Sequence, residues 1–285
     1  MRQNLPHQLF NASANLVLSS IVASGLVVFA RPVFLPAFGA EISNLNTENI
    51  NSEPIEAIAP WLLPPPNQSI SANLNITPAD QYQASLLRQQ GLADRQVGLF
   101  DQAIANLEQS TQLDPTNING HVLLGWTQHL AGDHDNAARS LWQAIQRDPR
   151  SVEAFNALGI VYLVRGDLNH AVLSHSWAAM LKPDNEIAYY NLSLAYQRQQ
   201  VYDWAIAYGK AAASLEPYNP HPFVALAVCY WSQGDQGDRD RAIEAYRQAL
   251  IIDARYGDPG FLNYLDEAGF SAEQIQLAKA ILSAT

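Results

Sequence analysis

Apolar side chains recur along this chain with the spacing of helices that each bury one side. Phe155, Leu158, Gly159 and Tyr162 follow one another at i, i+3, i+4 and i+7, which places them in one stripe of a helix with 3.6 residues per turn. Gly166 then interrupts the pattern and predicts a turn before a second helix. The local pattern therefore predicts a helix, a turn and another helix.

This unit is repeated every 34 residues. Prolines with that interval mark where second helices end, because proline cannot continue a helix. A small residue keeps the same interval inside the first helices, where glycine costs about 1 kcal/mol relative to alanine and so indicates that another backbone passes close by. The in-phase residues are Pro115, Pro149, Pro183 and Pro217; Gly91, Gly125, Gly159, Ser193 and Ala227; and Ala103, Ala137, Ala171 and Ala205. Such a period predicts an array of stacked units.

The 34-residue unit resembles the tetratricopeptide repeat, and the resemblance covers residues 84–256. It implies an all-α fold, a right-handed α-solenoid of about five helix-turn-helix repeats with C-terminal capping helices. The five copies are 84–117, 118–151, 152–185, 186–219 and 220–256. The resemblance also implies that the first helices line a concave groove in which another protein binds.

Both ends of the array depart from the pattern. The first copy carries Gln90 and Asp94 at usually apolar positions, which is typical of a polar terminal cap, and Thr77-Pro78 predicts an early helix start. The fifth copy gains three residues, since Ala242 follows Ala205 by 37 residues, and we expect this insertion to lengthen a surface turn over 234–241.

Residues 257–285 predict two helices that cap the array. Asp258-Pro259 is expected to open a helix that Gly269 ends, and Ser271 with Gln274 forms a capping box for the last helix. We expect both helices to cover the open apolar edge of the fifth copy.

The first forty residues predict a targeting segment, either a cleaved signal peptide or a membrane anchor. Arg2 precedes an uncharged apolar run from Leu16 to Ala30, and Ala37-Phe38-Gly39, or alternatively Val28-Phe29-Ala30, offers a cleavage site. The protein is therefore expected in an exported, periplasm-like or lumen-like compartment, or tethered to a membrane by its N-terminus. Residues 41–76 lack basic residues, are rich in Asn and Pro, and predict a disordered tether, in which Trp61-Leu62-Leu63 is alternatively a short docking motif.

Charge and composition disfavour nucleic acid as a partner. The 285 residues are 48% hydrophobic, enough for a long shared core, and carry a net charge of −11. Residues beyond 40 hold all 27 acidic residues and 14 of the 16 basic ones, so the surface is expected to repel the phosphates of nucleic acid.

No catalytic, metal or cofactor motif is recognisable. The seven histidines form no HExxH pair, and phosphate-binding loops and a nucleophile elbow are missing. His170 and His175 are five residues apart and so lie on different faces of one helix, and the acidic turn at 234–241 lacks calcium-loop spacing. The single Cys229 is expected to be a buried small apolar residue.

A second apolar face on the first helices is the informative feature. It lies opposite the packing stripe, and a helix that is apolar on two sides is normally buried on both. We interpret this face as the partner-binding groove; alternatively, neighbouring or C-terminal helices cover part of it. The candidate residues are Val122, Trp126, His129, Asn156, Ile160, Leu163, Ile187, Tyr190, Leu194, Val224, Val228 and Trp231.

The expected function is that of a non-catalytic scaffold. The groove lacks the lysine pair with which chaperone-binding members of the resembled family hold acidic C-termini, and it suits an apolar segment of a protein or peptide. Such a scaffold would aid assembly of a membrane-associated complex. The alternative is a structural protein that forms a homo-oligomer through the same face; the sequence leaves the oligomeric state open.

Overall fold

The computed structural model describes residues 75–234 and 236–285, and the regular elements of that part of the chain are all helical. The predicted targeting segment and tether lie outside the described residues. Eleven α-helices follow in order: α1 (Pro78–Gln96), α2 (Phe100–Leu113), α3 (Ile118–Leu130), α4 (His134–Arg147), α5 (Val152–Arg165), α6 (Leu168–Leu181), α7 (Glu186–Arg198), α8 (Tyr202–Leu215), α9 (Pro220–Gln233), α10 (Gln236–Ile252) and α11 (Ala272–Ala284). They pack as successive antiparallel pairs, so the prediction of an all-α solenoid is confirmed.

Local sequence explains where several helices begin and end. Thr77 and Asp80 form a reciprocal capping box at the start of α1, with Pro78 in its first turn. Gly132 and Gly166 adopt positive φ angles of 86° and 80° in the turns between paired helices, a conformation that favours glycine. None of the helices in the described part of the chain is long and apolar enough to cross a membrane.

A close contact lies at the small residue of each first helix. A β-carbon on Gly125 would come 3.0 Å from the Ala137 carbonyl oxygen and 2.7 Å from Leu141 Cγ, so the facing backbone and the facing side chain both require glycine. In the third pair the nearest group is instead the imidazole ring of His175, 2.5 Å from such a β-carbon on Gly159. A facing backbone is thus observed at Gly125, whereas the three nearest atoms at Gly159 all belong to the His175 ring.

The residue of the second helix that faces the small residue of the first helix varies in size along the array. It is Leu107, Leu141, His175, Gly209 and Tyr246 in successive pairs. In the fourth pair the facing residue is glycine and the first helix carries Ser193, whose Oγ lies 3.0 Å from where a β-carbon of Gly209 would be. Where the two helices of a repeat cross, the sizes of the two facing residues are therefore matched, so that they fill the space between the helices without steric overlap.

The three inserted residues of the fifth copy lengthen a helix and not a turn. Helix α10 begins at Gln236 and has 17 residues, whereas α8 has 14. Asp238 in its first turn is buried and forms an ion pair with Arg241 at 3.0 Å. The prediction of a longer surface turn over 234–241 is therefore wrong, because an acidic first turn favours the helix.

The segment between α10 and α11 also differs from its prediction. Two 3₁₀-helices, Ala254–Gly257 and Phe261–Asp266, replace the helix expected from Asp258 onward. The carboxylate of Asp258 accepts a hydrogen bond from the Gly260 backbone N–H at 2.9 Å, a local bond that competes with a regular helix. The Ser271–Gln274 capping box at the start of α11 is present as expected.

The first pair does not present an entirely polar outer surface. Tyr82 and Leu86 on α1 are 67% and 39% exposed, and Val97 in the following turn is 70% exposed. Asp94, at a usually apolar position, is buried and accepts hydrogen bonds from the side-chain amides of Gln90 and Asn106 at 2.9 and 2.8 Å. Its polar character is therefore satisfied inside the repeat.

Candidate functional site, the groove face

The twelve candidate residues, here called the groove face, fall into two groups by burial. Five are buried in the core, and we call them the closed half: Leu163, Tyr190, Leu194, Val224 and Val228. Six are partly buried, and we call the five of them on α3 and α5 the open half: Val122, Trp126, His129, Asn156 and Ile160. The sixth, Trp231, lies on α9, and Ile187 is exposed.

The chain's own C-terminal segment covers three residues of the closed half, Leu163, Tyr190 and Leu194. The hydroxyl of Tyr190 donates a hydrogen bond to the Ala268 carbonyl at 2.5 Å, and its ring lies 6.0 Å from that of buried Phe270. Between those two residues, the Gly269 backbone lies so close to Leu163 and Leu194 that a β-carbon would touch both, at 3.7 and 3.9 Å. A polypeptide segment therefore already occupies this part of the face.

Gln274 joins the start of α11 to α7. Its Nε2 donates to the Leu194 backbone carbonyl at 3.1 Å and to Gln197 Oε1 at 2.8 Å. Its Oε1 accepts from the Ser271 backbone N–H at 2.9 Å, so the same side chain also completes the capping box. Because Gln274 is buried and fully hydrogen-bonded, it fixes both the position and the start of the C-terminal helix.

The buried state of the closed half agrees with the alternative interpretation, in which neighbouring or C-terminal helices cover part of the face. The five side chains belong to the core, and the C-terminal segment contacts Leu163, Tyr190 and Leu194. That these residues contact another protein stays a prediction, and it would require displacement of the segment.

The open half combines apolar and polar groups on α3 and α5. Val122 and Trp126 pack against the core with one side, whereas Ile160 lies outside the core cluster. Asn156 exchanges two amide hydrogen bonds with Asn185, at 3.3 and 3.0 Å, so its polar groups are already paired within the protein. At the ends of the same helices Leu130 and Val164 are 43% and 46% exposed, which extends the apolar surface.

The two remaining residues have separate environments. Ile187 at the start of α7 is 40% exposed and makes the outer boundary of the closed half. Trp231 is partly buried, and the guanidinium of Arg239 lies 5.0 Å from the centre of its ring in a cation–π contact. Trp231 therefore belongs to the groove face and also contacts Arg239 in the first turns of α10.

Burial shifts the titration of groups on and beside the face. Desolvation and the neighbouring His134 lower the pKa of His129 to about 4, so this imidazole is neutral near pH 7. Burial and the nearby Glu216 raise the pKa of Glu186, at the start of α7, to about 7. These shifts follow from packing, and in the described residues no group of three or more His, Cys, Asp and Glu side chains is arranged to hold a metal ion.

Sequence reasoning missed one pair of residues. His129 lies in the last turn of α3 and His134 begins α4, and their Nδ1 atoms are 3.1 Å apart across the Gly132 turn. Five residues within one helix separate two side chains, as for His170 and His175, but five residues across a tight turn bring them together. The signal was available: two histidines flank a predicted glycine turn.

Comparison with known protein families supports the repeat architecture. Two family models, each described as tetratricopeptide repeat, match residues 130–174 and 223–260. These ranges lie in the middle and at the end of the array. A comparison with curated proteins gives no match.

Solved structures with similar folds include other repeat proteins. A crystal structure of MamA protein is 25% identical, with a TM-score of 0.53, and the match covers 61% of this chain and 93% of that one. Another crystal structure of MamA is 27% identical, with a TM-score of 0.52, covering 58% and 95%. TTC0263, a thermophilic TPR protein in Thermus thermophilus, is 23% identical with a TM-score of 0.51, covering 65% and 98%, and shows likeness of fold alone.

Proposed function

We propose that this chain, whose fold and family matches support a tetratricopeptide repeat protein, is a non-catalytic scaffold that binds a segment of another protein on the open half of the groove face. The repeat fold supports a role in protein interaction, since stacked helix pairs build extended surfaces without a catalytic centre. The acidic net charge of −11 disfavours nucleic acid as the partner.

The observation that carries the proposal is the occupied closed half. There the face binds a polypeptide through a hydroxyl donor to a backbone carbonyl, an aromatic contact with Phe270 and a helix start fixed by Gln274. Equivalent positions on α3 and α5 form the open half, which the described residues leave partly exposed. The apolar character of the face therefore continues on α3 and α5, away from the residues that the C-terminal segment contacts.

The open half favours an apolar or amphipathic partner segment. Trp126 and Ile160 offer an aromatic and an aliphatic anchor, and Leu130 and Val164 border them. Aromatic residues of this kind dominate binding energy in many interfaces, each often contributing about 2 kcal/mol or more. An amphipathic helix or an extended hydrophobic segment would bury this surface.

We further propose that the scaffold acts outside the cytoplasm or at a membrane and aids assembly of a membrane-associated complex. Arg2 and the apolar run from Leu16 to Ala30 support this proposal. Expression of the full chain in a Gram-negative host, followed by fractionation and N-terminal sequencing, tests it. A start near residue 31 or 40 supports a cleaved signal and intact Met1 in membranes supports an anchor, whereas soluble full-length protein in the cytoplasm contradicts both.

Self-association through the same face is the second candidate function. The C-terminal segment fits the closed half of its own chain, so the same segment would also fit that half in another copy. Measurement of mass in solution over a range of concentrations separates the candidates. A constant monomer mass favours the scaffold, and a mass that rises with concentration favours the homo-oligomer.

The decisive experiment is affinity capture from native membranes with the mature protein as bait. Trp126→Ala and Ile160→Ala should each remove the same captured protein, because they truncate the anchors of the open half. Tyr218→Ala is the matched control, since Tyr218 is 87% exposed in the turn before α9 and lies outside the groove face.

The partner protein should remain bound at high salt, because salt screens the attraction between surface charges but does not screen the burial of apolar surface. A partner that both open-half variants retain would contradict the groove as its binding site. A partner released by moderate salt would indicate binding to the acidic outer surface instead.

A further inference from the structure

Two histidines at the edge of the open half lie unusually close together. Nδ1 of His129 and Nδ1 of His134 are 3.1 Å apart, and the ring centres are 5.0 Å apart. In the absence of another ligand, one imidazole N–H donates a hydrogen bond to the other ring. This contact is independent of the observations that support the proposed function.

The turn that joins the two histidines is held by backbone hydrogen bonds. The N–H of Gly132 donates to the His129 carbonyl at 2.9 Å, and the N–H of Asp133 donates to the Gln128 carbonyl at 2.9 Å. The Asp133 carboxylate then caps α4 by accepting from the Asn136 N–H. Two rings on such a turn lose little conformational freedom when they bind a common ligand.

We propose that His129 and His134 bind one divalent transition-metal ion through their Nδ1 atoms. Two nitrogens on one tetrahedral zinc ion, each about 2.05 Å from the metal, lie roughly 3.3 Å apart. The observed separation of 3.1 Å needs only a small movement of either ring to meet that requirement. The geometry of the pair is therefore close to that of two ligands of a single ion.

The required change of protonation takes place within one ring. Metal binding needs a lone pair on both Nδ1 atoms, so the proton that forms the hydrogen bond moves to Nε2 of the same imidazole. Between two neutral imidazoles this change is a tautomer shift, so no net proton is lost.

The donor set selects the class of metal. Imidazole nitrogen suits zinc, copper and nickel, whereas magnesium and calcium prefer oxygen ligands. Among the described residues no third His, Cys, Asp or Glu completes the site. The ion would therefore keep coordination positions for water, and its affinity should increase from nickel to copper and fall again for zinc.

Trp126 is a built-in reporter of the site. Its ring centre lies 5.0 Å from that of His129, so a copper ion bound to the imidazole would lie close enough to quench the indole fluorescence. The same proximity places the charge of the metal beside the open half.

The test is calorimetric titration of Ni²⁺ and Zn²⁺ into the full chain near neutral pH. We expect one ion whose binding weakens by about tenfold or more in His134→Asn, because one of two ligands is lost. His170→Asn is the matched control: His170 also follows a glycine turn at the start of its helix, but its ring contacts Asp167 and Tyr162. This control should bind as the unsubstituted chain does, and Mg²⁺ should not compete.

Three further measurements distinguish loss of a metal ligand from loss of folding. Thermal unfolding must show that His134→Asn remains folded, and His129→Asn must weaken binding as His134→Asn does. Cu²⁺ should quench fluorescence in the unsubstituted chain and in His170→Asn, and much less in His134→Asn. Binding that is equal in His134→Asn and the unsubstituted chain, or no binding of Ni²⁺ or Zn²⁺ at all, would overturn the proposal.

Discussion

The imidazole of His175 lies directly against the α-carbon of Gly159. A β-carbon on Gly159 would come 2.5 Å from Nε2 and 2.6 Å from Cε1, distances that packed atoms do not tolerate. The ring is fully buried between α5 and α6, so it has little space into which to move. This contact fixes the distance between the two helices of the third repeat.

Gly159→Ala should therefore destabilise the protein by about 1–3 kcal/mol through overpacking, despite the better helix propensity of alanine. Urea unfolding followed by circular dichroism measures the change. Gly120→Ala is the control, because a β-carbon there would meet its nearest neighbour at 3.5 Å, an ordinary contact. That variant should be neutral or slightly stabilised. An equal free energy of unfolding for both variants would mean that the ring of His175 moves away from the new methyl group without loss of stability.

The pH dependence of stability should depend on His175. Burial lowers its pKa to about 3, and the Gly159 backbone offsets only part of this effect. Below an unfolded pKa near 6.5 the unfolded chain binds a proton that the folded chain does not, so stability falls on acidification by about 1.4 kcal/mol per pH unit. His175→Leu, which places here the residue found at Leu107 and Leu141, should remove this part of the dependence.

Urea unfolding at pH 7 and pH 5 tests this expectation. The unsubstituted chain should lose about 2 kcal/mol more than His175→Leu between these values. His129 and His221, whose pKa values burial lowers to about 4, add to the loss in both proteins. Glu186 acts oppositely, because its raised pKa of about 7 makes stability fall as pH rises from 4.5 toward 7. Identical pH profiles would show that His175 does not contribute.

Tyr190→Phe should loosen the C-terminal segment. The variant loses the hydrogen bond to the Ala268 carbonyl and leaves that acceptor unpaired, at a cost of about 1 kcal/mol. Hydrogen exchange should then accelerate in residues 262–285, with smaller changes in α3 to α6. Tyr189→Phe is the matched control, since its hydroxyl donates to the Pro183 carbonyl at 3.1 Å, elsewhere on the repeat. Unchanged exchange in Tyr190→Phe would show that the hydrogen bond to Ala268 is not needed to hold the segment.

Cys229 should not react with thiol reagents while the protein is folded. It is completely buried, and desolvation raises the pKa of its thiol to about 12, so almost no thiolate is present at pH 8. A chromogenic disulfide reagent should modify it only after addition of urea. Rapid modification without urea would indicate frequent opening of α9.

The 3.6-residue spacing of apolar residues predicted the paired helices, and the 34-residue period, with the repeat family that it resembles, predicted the solenoid. Gly125, Ala137 and Leu141 recur in phase with their counterparts because each repeat packs against its neighbours in the same way. Contacts that repeat along the chain leave a periodic record in the sequence. The second apolar face was visible for the same reason, since it lies on successive first helices.

Contacts made only once leave no period, and the tertiary structure decided them. Gln274 reaches Leu194 across 80 residues, and the aromatic ring of Phe270 meets Tyr190, so part of the apolar face is core and part remains open. The sequence shows that one side of a helix is apolar. It does not show which segment buries that side, because the hydrophobic effect is non-directional. Only the folded chain determined that its own C-terminal segment contacts the closed half at Tyr190 and Leu194.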